Sequence, residues 1–202
     1  MDGFKCHSKI CLITLRRKRK VQYITRIGTG NYNEKTNAMY TDLSIMTASD
    51  AIGTDASAFF RNMLVNHLNR EYRGLLISPN GIKSVVCDLI DGQIALGYNG
   101  YISIKVNSVT EREVIDGLRA ASRAGVKVRM IVRGICCILP GVPGENENIH
   151  VTSIVGRFLK HTRIYCFGKG PEAKVRLFSA NLMIRNLSRR VEIACPVHGR
   201  DL

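Results

Sequence analysis

The alternation of apolar and polar positions changes period several times along the chain, and each change predicts a new element. Lys5 to Thr14 and Val21 to Ile27 alternate with a period near two and are separated by the basic run Arg16 to Lys20, so the chain is expected to open with a β-hairpin. The charged tip can serve as a nucleic-acid patch or as protection for the sheet edges. Gly28-Thr29-Gly30-Asn31 breaks the pattern. From Asp50 to Asn69 the period becomes helical, with Ile52, Ala56, Phe59, Phe60, Met63 and Leu64 on one stripe expected to face the core.

Gly74, Pro79 and Gly81 make the stretch from Arg70 to Gly81 the best candidate boundary, dividing the chain into units 1–72 and 73–202, although the strand-like Leu75-Leu76-Ile77 lies inside it. A helix is expected over Ile82 to Leu96, a turn at Gly97 to Gly100 and a strand over Tyr101 to Val106. Thr110 and Glu113 fit a capping box ahead of a face of Val114, Ile115, Leu118 and Ala121, and Gly125 stands where such a helix stops. Val126 to Val132 reads as the next strand. Strand, helix and strand in succession form a βαβ unit, which predicts an α/β fold. Beyond the turn-rich Pro140 to Gly144, strands are expected at Ile149 to Val155, Arg163 to Phe167 and Val175 to Ser179. An arginine-bearing segment, Arg185 to Arg190, precedes the apolar Val191 to Val197.

Composition narrows the partners. A chain of 202 residues that is 45% hydrophobic can build a core, and 30 Lys and Arg against 16 Asp and Glu leave a net charge of +14. That balance favours a polyanion: nucleic acid, an anionic membrane or a phosphate-rich small molecule. No apolar run approaches the roughly 18 residues needed to span a bilayer, and no signal peptide is visible at the start. Seven cysteines without a Cys-x-x-Cys pair, and without histidines at zinc-ligand spacing, predict no metal site and fit a reducing, cytoplasmic compartment. As small apolar residues they are expected to be buried; Cys6 draws attention because it flanks a candidate histidine.

The most informative feature is a duplication. His7-Ser8-Lys9 is followed by Gly28-Thr29-Gly30-Asn31 and Lys35, and His161-Thr162-Arg163 by Phe178-Ser179-Ala180-Asn181 and Arg185. Asn and the following cation are four residues apart in both copies, and the His-to-Asn interval differs only by loop length. Residues i and i+2 of a strand share a face, so His7 with Lys9 and His161 with Arg163 each pair an imidazole with a cation. Asn31 and Asn181 can help bind oxyanions, as can Lys35 and Arg185. Two such sets facing each other form a positive pocket with two histidines, a device for phosphoryl transfer. One imidazole attacks phosphorus, the other moves a proton, and the cations stabilise the equatorial oxygens. Arg133 ends the βαβ strand, where ligands bind in α/β sheets, and is a candidate phosphate contact or salt-bridge partner. His67, His150 and His198 are expected to be structural or solvated.

The stretch from Ile27 to Thr36 with Tyr40-Thr41-Asp42, the run from Ala124 to Cys137, Pro140 to Gly144, Ile154 to Leu159 and His161-Thr162-Arg163 resemble polyphosphate kinase. The similarity extends over almost the whole chain and points to the carboxyl-terminal part of that enzyme. The resemblance implies two phospholipase D-like α/β domains with mixed sheets flanked by helices, the first incomplete because only Met1 to Cys6 precede its histidine. It implies reversible transfer of the ATP γ-phosphate to inorganic polyphosphate through a phosphohistidine. His7 falls on the phosphorylated position, His161 on a histidine that contacts nucleotide and serves as acid or base, and Tyr40 and Arg133 on nucleotide-binding positions. It further implies Mg²⁺ as cofactor with ligand positions outside this chain, ATP, ADP and polyphosphate as partners, and no specific nucleic acid. A homo-oligomer is expected for the full-length enzyme, as is peripheral association with the inner face of the membrane.

Departures accompany the likeness. Arg26 stands where many members carry a histidine, Asn181-Leu182 replaces the usual Asp-Trp pair, and the chain has no Trp at all. Family members are several times longer, so a fragment or split gene product is expected, continuing beyond Leu202. The residues alone leave two other readings open: a phospholipase D-type phosphodiesterase or nuclease, which uses the same histidine pair, and a non-catalytic basic remnant that binds polyanions.

Overall fold

The computed structural model describes residues 4–18, 20–67 and 71–198. The chain begins with β1 (Lys5–Cys6), β2 (Ile10–Arg17), β3 (Lys20–Gly28), α1 (Glu34–Asn37), β4 (Tyr40–Thr41), β5 (Ser44–Thr47) and α2 (Asp50–Leu64). It continues through β6 (Leu76–Ile77), α3 (Ile82–Ile94), β7 (Tyr101–Val106), α4 (Arg112–Arg123), β8 (Lys127–Val132) and β9 (Ile149–Thr152). The last part holds β10 (Leu159–Lys160), β11 (Ile164–Phe167), β12 (Lys174–Phe178), α5 (Ile184–Ser188), β13 (Arg190–Val191) and β14 (Ile193–Pro196).

A seven-stranded mixed sheet in the order β6-β14-β12-β11-β7-β8-β9 carries the larger core. β7, β8 and β9 run parallel, with α4 as the crossover between β7 and β8, and the remaining pairs are antiparallel. The α/β class read from the βαβ pattern is the one observed. Burial alternates strictly along β7, so one face of that strand packs inward while the other stays half-buried. α3 contributes Ile82, Val86 and Ile90, and α4 contributes Val114, Leu118 and Ala121, both at the spacing that lines one helix face.

A second, three-stranded antiparallel sheet, β2-β3-β5, packs with α2. Its core joins Ile27, Ile52, Ala56 and Phe59 to Leu75, Ile77, Val191, Ile193 and Cys195. The stretch Leu75-Leu76-Ile77, inside the expected boundary, is therefore tied to both halves. Arg70 and Asn69 lie outside the described residues, as does Arg19 of the hairpin tip.

Several expectations need correction. α2 ends at Leu64, where Asn66 takes a positive φ of 54°, so the helix is shorter than the apolar pattern suggested. Phe60 and Leu64 are exposed, and the polar Asp55 and Asn62 face inward instead. The reason is the connection that follows: Asp55 Oδ2 accepts from the N–H groups of Gly74 and Leu75 at 2.7 and 3.0 Å, and Asn62 Nδ2 donates to the Tyr72 hydroxyl. The Thr110/Glu113 capping box does not form. Glu111 is the N-cap residue, the N–H groups of Thr110 and Glu111 both donate to the Leu182 carbonyl, and Glu113 pairs with Lys83 at 2.8 Å. The opening strand is interrupted at His7 to Lys9, and Val191 to Val197 is interrupted at Glu192. Of the cysteines only Cys195 is buried; Cys6, Cys11 and Cys137 are exposed, and all seven thiols are free. No helix among the described residues is long and apolar enough to cross a membrane.

Candidate active site

The two copies of the repeat share their strand layout and the backbone bonds that flank each histidine motif. After its histidine each copy makes an antiparallel three-stranded meander, β2-β3-β5 in the first and β11-β12-β14 in the second. The Gly28 N–H donates to the Lys9 carbonyl as the Phe178 N–H does to the Arg163 carbonyl, both at 3.0 Å. The Thr29 N–H donates to the Leu43 carbonyl and the Ser179 N–H to the Ile193 carbonyl, both at 2.9 Å. From Gly28 to Ser44 each position thus has its counterpart 150 residues further on, and the hairpin of the second copy is four residues shorter.

Two pairs of short parallel bridges stitch the copies together. β1 pairs with β13, and β10 pairs with β4, so the chain just before each histidine lies beside a strand of the other copy. The His7 N–H donates to the Val191 carbonyl at 2.8 Å, and the His161 N–H to the Thr41 carbonyl at 3.1 Å. The neighbouring hydroxyls of Ser8 and Thr162 donate to those same carbonyls.

This crossing delivers a carboxylate to each imidazole. Nδ1 of His7 is 2.9 Å from Oε2 of Glu192, and Nδ1 of His161 is 3.0 Å from Oδ1 of Asp42. The acid is in turn held by the hydroxyl of its own copy, Ser179 on Glu192 and Thr29 on Asp42. Asn186 adds a further donor to Oε1 of the fully buried Glu192. An acceptor at Nδ1 fixes the tautomer, with the proton on Nδ1 and a lone pair on Nε2. Gly30 makes room for the shorter acid: a Cβ at that position would sit 2.0 Å from Oδ2 of Asp42.

The cations are placed as tightly. Lys9 is 5% exposed and donates from Nζ to the His7 carbonyl oxygen at 2.6 Å; burial lowers its pKa to about 8. Arg163, 2% exposed, donates from Nε to Asn181 Oδ1 at 2.7 Å, from Nη1 to the Thr29 carbonyl at 3.1 Å and from Nη2 to His161 Nε2 at 3.0 Å. Burial, with Arg163 next in effect, pulls the pKa of His161 down to about 4, while burial lowers that of His7 despite the opposing pull of Glu192. Lys9 and Arg163 both act electrostatically on both imidazoles. At neutral pH the site thus holds two uncharged imidazoles among fixed positive charges.

The other sequence-predicted residues fall at varying distances from this network. Tyr40 stacks on His161, with ring centroids 4.5 Å apart and planes 8° from parallel. Asn31 lines a cleft of about 390 Å³ with Arg26, Tyr32, Tyr40 and Asp42. Arg26 lies over the Tyr32 ring and hydrogen-bonds Ser44. Arg133 lines a second cleft of about 300 Å³ with Ser108, Phe158 and Lys160, and forms no ion pair among the described residues. Lys35 and Arg185 occupy matching second positions of α1 and α5 and are exposed.

Sequence reasoning missed Asp42, Glu192 and Lys105. The two acids carried a signal, since each stands eleven residues after the Asn of its copy. Lys105 had none: it reaches across from β7 to donate to the carbonyls of Lys160 and Thr162, on either side of His161. Among the described residues no group of three or more His, Cys, Asp or Glu could hold a metal ion. Asp42 and Glu192 already engage imidazoles amid positive charge, so these residues do not fit a resident Mg²⁺.

Comparison with known proteins places this geometry. Residues 1–69 match a family model described as polyphosphate kinase C-terminal domain 1, and residues 75–202 match polyphosphate kinase C-terminal domain 2. The chain is 44% identical over 205 aligned positions to a polyphosphate kinase of Staphylococcus epidermidis, covering all of this chain and 28% of that protein. It is 42% identical to one from Pseudomonas aeruginosa, covering 99% of this chain and 29% of the relative. The crystal structure of polyphosphate kinase from Porphyromonas gingivalis aligns over the whole chain with a TM-score of 0.90 and 37% identity, covering 32% of that chain. A yeast tyrosyl-DNA phosphodiesterase aligns over 90% of the chain and 64% of its own, with a TM-score of 0.52 at 9% identity, a likeness of fold alone. The chain thus spans less than a third of the length of the curated relatives it matches.

Proposed function

The chain belongs to the polyphosphate kinase family, and from that premise we propose that it forms the phosphoryl-transfer centre of such an enzyme, moving the γ-phosphate of ATP reversibly to inorganic polyphosphate. The observation that carries this reading is the pair of neutral imidazoles, each oriented by a carboxylate of the other copy and flanked by Lys9 and Arg163.

His7 is the nucleophile. Its Nε2 lone pair forms the N–P bond as the bond from the γ-phosphorus to its bridging oxygen breaks, releasing ADP. The Nδ1 proton stays between the ring and Glu192, which balances the positive charge gained by the phosphorylated imidazole. Lys9 and Arg163 offset charge on the equatorial oxygens, in a buried setting where such stabilisation is strongest. Attack on the phosphohistidine by a terminal oxygen of polyphosphate completes the transfer and regenerates the free imidazole.

Tyr40 and Arg133 are the proposed nucleotide contacts, an aromatic ring suiting the base and a guanidinium the phosphates. Mg²⁺ is proposed to arrive with the nucleotide phosphates. The site residues Asn31, Lys35, Asn181 and Arg185 are proposed to support phosphate binding, Asn181 by fixing Arg163. Seven free thiols suit a reducing, cytoplasmic setting.

Incubating the protein that carries this chain with ATP labelled at the γ position tests the reading. An acid-labile phosphoenzyme that His7→Ala abolishes is expected. Cleavage of a phosphodiester without ATP would favour the phosphodiesterase instead. Salt-sensitive polyanion binding, unchanged in His7→Ala and His161→Ala and without label, would reduce the chain to a binding module.

A further inference from the structure

Two histidines with the same tautomer, the same carboxylate support and the same position in a duplicated fold should be equivalent nucleophiles, yet their Nε2 atoms have different surroundings. Lys9 turns back on its own backbone and donates to the His7 carbonyl oxygen. Arg163, its counterpart, reaches the ring: Nη2 donates to Nε2 of His161 at 3.0 Å. The guanidinium cannot swing aside easily, because Nε is held by Asn181 and Nη1 by the Thr29 carbonyl. With the Asn107 amide turned so that Nδ2 donates to the Lys160 carbonyl at 3.2 Å, its Oδ1 accepts from the same Nη2 at 2.9 Å.

We propose that Arg163 determines which histidine is the nucleophile, by occupying the Nε2 lone pair of His161 and leaving that of His7 free. This deepens the phosphotransfer reading and rests on it. Phosphoryl transfer needs the lone pair itself, since the N–P bond forms from those electrons while the phosphorus–oxygen bond to the leaving nucleoside diphosphate breaks. A lone pair already accepting from a guanidinium must first lose that bond. A lysine could not enforce this asymmetry as well: its ammonium is a point donor on a flexible stem, whereas the planar fork of arginine satisfies several acceptors in fixed directions. Arg163 is thus a positioning residue for His161, keeping its ring out of the attack on phosphorus.

Diethyl pyrocarbonate tests this without nucleotide, because it acylates the free lone pair of a neutral imidazole. In the unmodified chain at pH 7, peptide mapping should find His7 acylated well ahead of His161. Arg163→Lys, which keeps the charge but removes the fork, should raise the rate at His161 about tenfold, the factor that a lost charge-assisted hydrogen bond is worth, and leave His7 unchanged. An unchanged rate at His161 in that variant, or equal rates in the parent chain, would overturn the proposal. Should the variant fail to fold, long-range ¹H–¹⁵N correlation on the parent chain decides: Nε2 of His161 should resonate as a hydrogen-bonded acceptor and Nε2 of His7 as a free one, and matching shifts would refute it. Neither readout uses ATP, so a failure of phosphoenzyme formation leaves them able to decide this point separately.

Discussion

Nδ1 of His7 and Oε2 of Glu192 lie 2.9 Å apart although 185 residues separate them in the chain, and His161 with Asp42 mirrors the contact at 3.0 Å across 119 residues. Each imidazole is oriented by the other copy, so neither copy alone holds an oriented histidine. Replacing Glu192 by Gln keeps one oxygen for His7 and Ser179 and directs an amide at Asn186, whose buried Oδ1 has no partner and can turn to accept it. The protein should stay folded, yet phosphoenzyme formation should fall about 10²-fold or more, because the charge that balances the phosphorylated ring is gone. Label retained at the parent level in Glu192→Gln would remove that acid from the mechanism.

Stability should fall with acid in a window set by His161. Burial holds its folded pKa near 4, below the ordinary 6.5, so between those values the unfolded chain binds a proton that the native chain does not. The native state is therefore fully favoured above pH 6.5 and loses ground as the pH drops toward 4. Denaturant midpoints measured across pH 7 to 4.5 should slope less steeply in His161→Gln than in the parent. Parallel slopes would show that this imidazole is not held neutral by the fold.

Gly30 and Asp42 form a steric pair that the second copy replaces by Ala180 and Glu192. A methyl group at position 30 would displace the Asp42 carboxylate from His161, since the added carbon would overlap both Oδ2 and Cγ. Gly30→Ala should cost about 1–3 kcal/mol, the usual range for overpacking a filled site. It should also disturb the His161 resonances while sparing those of His7. An unperturbed His161 spectrum would count against the pairing.

Lys105 should matter through the backbone. Its ammonium, with a pKa lowered to about 8 by burial, binds the carbonyls that bracket His161. Lys105→Met removes the donor to both, and thermal melting should show a loss of about 1–3 kcal/mol with weaker phosphoenzyme formation. Parent-like melting would mean that water replaces the ammonium without penalty.

The parts of this site that were legible in the sequence are those carried by local spacing. His-x-Lys and His-x-Arg, and Asn with a cation four residues later, repeat within short windows, although both histidine motifs lie between strands rather than on them, and the βαβ pattern around α4 announces the α/β class. What escaped is carried by β1, β4, β10 and β13, each two residues long and too short to show any period. Those bridges bring Asp42 and Glu192 to the histidines, and only the shared offset from Asn hinted at them. Lys35 and Arg185 repeat the same spacing and take matching exposed positions on α1 and α5. The capping box failed for a tertiary reason, because the Leu182 carbonyl takes the Thr110 N–H that the Glu113 side chain would have capped, and the helix starts one residue later with Glu111 as N-cap.

The most direct test of the account is to map the phosphorylated atom. After brief exposure of the protein carrying this chain to γ-labelled ATP, peptide mapping under alkaline conditions should find phosphate on Nε2 of His7 and none on His161. Phosphate on His161, or on a residue outside the two histidine motifs, would contradict it.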